Sequence, residues 1–91
     1  MKYKIIEITT PTCSVCKMLK PMIEMIITKH FNQIELDVRD YEDEFVKELI
    51  EKHVIRSVPV FFFMKNDEVI DTHFGAITAP ALKTFCEKLI S

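Results

Sequence analysis

Tyr3 to Thr9 (YKIIEIT) carries apolar side chains on both of its faces, Ile6 and Ile8 on one and Tyr3 and Ile5 on the other. A strand alternates its side chains from face to face, so a strand with one wet face shows a polar set. This one has none. It predicts a central strand covered on both sides, and therefore an α/β arrangement. Glu7 interrupts the apolar pattern on the Ile5 face.

Thr10-Pro11-Thr12 breaks the strand. Cys13-Ser14-Val15-Cys16 follows, where a helical pattern begins. From Cys13 to about His30, the residues Val15, Met18, Leu19, Met22, Met25 and Ile26 recur at spacings of three and four, which predicts an amphipathic helix with the methionines in its core face. Pro21 removes one ladder bond and is expected to kink it. Two cysteines with two residues between them at the first turn of a helix have sulfurs within reach of each other. The first sulfur faces free N–H groups and the positive end of the macrodipole, which favour a thiolate. A thiol pKa lowered to about 7 makes roughly half of the sulfur nucleophilic at neutral pH.

The rest of the chain alternates in the same way. Ile34 to Val38 predicts a second strand. Tyr41 to Lys52 predicts a second helix with Phe45, Val46, Leu49 and Ile50 inward, and acids from Asp40 to Glu44 crowd its start. Val58 to Met64 (VPVFFFM) reads as a deeply apolar third strand, with Pro59 at its first end, where a missing N–H is tolerated. Asn66-Asp67 turns the chain into a fourth strand, Glu68 to His73. Gly75 ends it, and Thr78 caps a last helix that places Leu82, Phe85, Cys86, Leu89 and Ile90 on one face. The order β-α-β-α-β-β-α implies one domain over residues 1–91, built as a four-stranded mixed sheet with helices on both faces.

Composition narrows the function. The formal net charge of −2 gives no electrostatic case for nucleic acid or an anionic membrane. No apolar run reaches membrane-spanning length, and no secretory signal precedes the first strand, so a cytoplasmic protein is expected. Three cysteines are too few, and odd in number, for a disulfide-stapled secreted fold. A CxxC in this context reads as redox or metal. With no second CxxC and no histidine at a ligand-like spacing, redox chemistry is favoured and no metal is expected. His30, His53 and His73 lie at element ends and are expected in solvent; Cys86 is expected to be an inert core residue.

These features together resemble the thioredoxin family. The order of elements, the CxxC after the first strand, Pro21 five residues beyond Cys16, the run Ile55-Arg56-Ser57-Val58-Pro59-Val60-Phe61-Phe62-Phe63-Met64-Lys65-Asn66, and Phe74-Gly75-Ala76 all match that family's pattern. Only twelve residues precede Cys13, so the chain resembles the family's minimal core, about the size of a glutaredoxin.

The resemblance implies roles for particular residues. Cys13 would be the attacking thiolate and Cys16 the resolving thiol. Pro59 would follow a cis peptide bond beside the site. Glu7, six residues before Cys13, stands where thioredoxins have a buried Asp; burial would raise its pKa and let it pass a proton to and from Cys16. Gly75 would let a partner backbone approach, and Thr12, Val15, Val58 and Ala76 would complete an apolar docking rim. The chain departs from the family in having Thr12 in place of Trp and Ser14-Val15 in place of Gly-Pro. Glu35 falls where many thioredoxins have a lysine near the buried acid.

The implied function is a thiol–disulfide oxidoreductase, a monomer that reduces disulfide-containing proteins. It would take electrons from a donor such as a thioredoxin reductase and use no cofactor beyond the Cys13–Cys16 pair. Two other readings stay open: a protein-binding or redox-sensing module on the same fold, and a glutaredoxin-like reductase using glutathione.

Overall fold

A computed structural model describes all 91 residues. The chain runs β1 (Tyr3–Thr9), α1 (Ser14–His30), β2 (Ile34–Asp40), a short 3₁₀ turn (Glu44–Val46), α2 (Lys47–His53), β3 (Val60–Lys65), β4 (Glu68–Phe74) and α3 (Ala79–Ile90). The sheet order is β2-β1-β3-β4. β1 pairs parallel with β2 and antiparallel with β3, and β3 pairs antiparallel with β4. This is the mixed, thioredoxin-like sheet that the element order implied, with β1 inside it.

The two apolar faces of β1 bury into two cores. Ile5 joins Phe61 and Phe63 beneath Ile23, Ile26 and Ile27 of α1 and Leu82, Cys86 and Leu89 of α3. Ile6 and Ile8 join Val60 and Phe62 against Val46 and Ile55 on the opposite face. Phe61, Phe62 and Phe63 are all fully buried, which consecutive residues achieve only where a strand is covered on both sides.

Local chemistry sets the ends of the elements. Thr78 Oγ1 accepts from the N–H of Ala81 at 3.2 Å and caps α3. Asn66 and Asp67 take φ of +50° and +68°, the left-handed pair that a tight two-residue hairpin needs. Asn66 also ties the N-terminus down: its N–H donates to the Lys2 carbonyl at 2.8 Å, and its Oδ1 accepts from the Lys2 N–H at 3.0 Å.

Four expectations about packing and element bounds are corrected. Met18 and Met25 do not line the core face of α1, being 72% and 51% exposed, whereas the half-buried Met22 packs against the core as expected. The β-branched residues Ile23, Ile26 and Ile27 meet the sheet instead. The second helix starts later than Tyr41, because Asp40 accepts from the N–H of Glu42 and Asp43 from that of Phe45, turning the chain locally first. Phe45, expected inward, is 58% exposed. Its ring lies against the Arg39 guanidinium, 4.2 Å from the ring centroid, and 5.9 Å from the Lys4 ammonium. Finally, β3 begins at Val60, so Val58 and Pro59 precede the strand.

Candidate active site

Cys13 is the N-cap of α1. Its φ and ψ of −79° and 98° are extended, and its Sγ accepts from the N–H of Cys16 at 3.1 Å. In the reduced protein the same N–H would face the free Cys13 sulfur. Its own N–H donates to the Thr10 carbonyl at 3.2 Å, and its carbonyl accepts from Lys17 at 3.2 Å, so both sides of the residue are held. The first turn of α1 contains no acid to oppose a negative sulfur. Cys13 and Cys16 form a disulfide with their Cα atoms 5.3 Å apart. The two sulfurs differ in access: Cys13 is half-buried, and Cys16 is 6% exposed. The asymmetry suits one attacking and one withheld thiol.

Glu7 is 4% exposed and lies in β1 between Val38 of β2 and Phe61 of β3. Burial above all, and secondarily the Glu24 carboxylate, push its pKa up from 4.5 to about 7, against the lowering pull of the Lys20 ammonium. Glu7 opens into a cleft of about 210 Å³ whose other walls are Thr9, Thr10, Cys16, Lys17, Lys20 and Val38. The carboxyl and the buried cysteine thus share one space. Glu35 is not part of it. Its register partner on β1 is Lys4, which places it on the opposite face of the sheet from Glu7. The charges beside the buried acid come instead from α1, through Lys20 and Glu24.

The ends of three strands bring the remaining residues together. Ile8–Val60 closes the β1–β3 ladder, so Pro59 follows across from Thr9, where the cysteine turn leaves the sheet. Val60 also pairs with Phe74, so Pro59 stands across from Gly75 on the other side. The Gly75 N–H donates to the Pro59 carbonyl at 2.8 Å and fastens the two loops. The Val58–Pro59 peptide is cis, as the family resemblance implied. Gly75 has φ of +89°, a conformation that favours glycine, and a Cβ added there would meet nothing within 4 Å. Thr12, Val15 and Ala76 are exposed, and Val58 is half-buried.

One residue of this region carries no signal in the sequence. His73 is half-buried rather than free in solvent. Its ring packs 5.7 Å from Phe85 and 6.2 Å from Phe61, and its Nε2 lies 3.0 Å from the Ala76 carbonyl oxygen.

The family model described as Thioredoxin matches residues 1–88 of this chain. The chain belongs to the thioredoxin family. It is 27% identical to a mitochondrial thioredoxin of Bos taurus, over 94% of this chain and 51% of that relative, and so spans about half of that relative's length. It is 25% identical to a thioredoxin of Porphyra purpurea, over 96% of this chain and 79% of the relative. Among solved structures, thioredoxin O2 from Arabidopsis thaliana in its oxidized state superposes with a TM-score of 0.78 at 20% identity, covering 99% of this chain and 76% of that one. In this chain the cysteine pair opens α1, the helix that follows β1. No helix of this thioredoxin-family chain is long and apolar enough to cross a membrane.

Proposed function

We propose that this chain is a thiol–disulfide oxidoreductase that reduces disulfides in other proteins. The observation that carries the reading is the Cys13–Cys16 disulfide at the head of α1, with the buried Glu7 facing the same cleft as Cys16. Family membership supports the same chemistry.

In the proposed cycle the Cys13 thiolate attacks one substrate sulfur. A mixed disulfide forms, and the other substrate sulfur leaves as a thiolate that takes up a proton. Cys16 then passes its proton to the Glu7 carboxylate and attacks the Cys13 sulfur. The Cys13–Cys16 disulfide closes, the second substrate sulfur leaves, and Glu7 returns the proton to it. Two electrons pass from the dithiol to the substrate. A pKa of about 7 leaves Glu7 able both to take and to give a proton near neutrality. The rim formed by Thr12, Val15, Val58, Pro59, Gly75 and Ala76 would receive the substrate chain. An electron donor of the thioredoxin reductase class would restore the dithiol, with no further cofactor. We place the protein in the cytoplasm, as a monomer.

The test is the reduction potential of the pair, measured in glutathione and dithiothreitol buffers, together with insulin reduction by the wild type and Cys13→Ser. A potential near about −270 mV marks a reductant, and one between about −120 and −180 mV an oxidant or isomerase. Cys13→Ser is expected to abolish insulin reduction; retained activity overturns the mechanism.

A further inference from the structure

His73 and Ala76 are three residues apart and belong to different elements: the histidine to the edge strand β4, the alanine to the loop that enters α3. A carbonyl oxygen only accepts, so the 3.0 Å contact requires His73 Nε2 to carry the hydrogen. The ring is held from behind by Phe61 and Phe85. The loop it grips has few other restraints. Gly75 is tied through its N–H to Pro59, and Ile77 is buried at 1% exposure, but the N–H groups of Ala76 and Ile77 have no acceptor within the protein. In a trans peptide the carbonyl and the next N–H point in opposite directions. Drawing the Ala76 carbonyl onto His73 therefore turns the Ile77 N–H away from it.

We propose that His73 is a positioning residue for substrate docking. Its Nε2–H grips the Ala76 carbonyl and holds the Gly75–Ala76–Ile77 rim in one conformation, with the N–H of the exposed Ala76 left as a donor for the backbone of an extended polypeptide. A rim fixed before binding loses less entropy when the substrate arrives. The proposal rests on the reading that protein disulfides are the substrates. It adds a recognition device outside the cysteine turn and the acid beneath it.

The test compares His73→Leu, which keeps an apolar body against Phe61 and Phe85 but loses the donor, with His73→Gln, whose amide nitrogen can reach the place of Nε2. His73→Leu is expected to raise the KM for insulin about three- to tenfold, the range that one lost hydrogen bond covers, with kcat little changed. His73→Gln is expected to restore the wild-type KM. Backbone order parameters should fall at Ala76 and Ile77 in His73→Leu and recover in His73→Gln. In the wild type, ¹⁵N spectra of the neutral ring should show Nε2 protonated. An active wild type with equal KM in both variants overturns the role of His73, and so do unchanged order parameters. A wild type that fails to reduce insulin overturns the functional reading, and the docking role with it.

Discussion

Glu7 and Cys16 face one cleft from adjacent elements, the acid from β1 and the sulfur from the first turn of α1, with Lys20 among its other walls. This links the stability of the fold to its chemistry, because the carboxyl that the proposed mechanism uses is also a buried group that resists ionisation.

The first consequence is a pH dependence of stability. The folded pKa of Glu7 is about 7 against an ordinary 4.5. Between these values the unfolded chain gives up a proton that the folded chain keeps. Stability therefore falls as pH rises from about 4.5 to about 7 and levels off above, by at most about 3 kcal/mol from this group. Denaturant unfolding across that range should show the slope in the wild type and lose it in Glu7→Gln.

The same substitution should slow the reaction. Glu7→Gln keeps the shape of the side chain and removes its proton affinity. Turnover with a protein disulfide should fall by about tenfold or more, within the range of a lost acid–base group. The loss should lie in closure of the Cys13–Cys16 disulfide, so the mixed disulfide should accumulate in quenched samples. Cys16→Ser should trap that species outright.

Thiol labelling should separate the three cysteines. Burial, and secondarily the Glu87 carboxylate, push the Cys86 pKa up to about 12, so its sulfur stays protonated and covered. Iodoacetamide at neutral pH should modify Cys13 first in the reduced native protein and leave Cys86 untouched until unfolding, as read by peptide mass.

The aromatic residues should divide sharply. Phe63 is fully buried and stacks on Phe85 with ring centroids 4.7 Å apart, so Phe63→Ala should cost about 3–5 kcal/mol. Phe45 is mostly in solvent against Arg39, so Phe45→Ala should cost about 1 kcal/mol or less. Urea midpoints of the two variants check the contrast.

Gly75→Ala isolates backbone strain. No atom obstructs a Cβ there, so the cost is conformational, about 1–2 kcal/mol for placing a side chain at a φ of +89°. Thermal unfolding should register it as a lowered midpoint.

The architecture was legible because β1 is apolar on both faces, and only two covering layers satisfy such a strand. The cysteine pair and Glu7 were legible from spacing and family likeness. What failed depended on neighbours that hydropathy does not name. Methionine and isoleucine look alike in a periodic pattern, yet Ile23 and Ile27 meet the sheet while Met18 and Met25 do not. Glu35 was misplaced because the register between parallel strands joined by a helix is settled in three dimensions. The grip of His73 on Ala76 has no spacing signature at all, since it depends on the path of one loop.

The sheet order gives the two halves of the site unequal anchorage. The turn bearing the nucleophile and the acid beneath it hang from β1, an interior strand, while His73 and Gly75 sit on or beside β4, an edge. Under mild destabilisation, amide exchange should therefore release the recognition margin before the redox machinery.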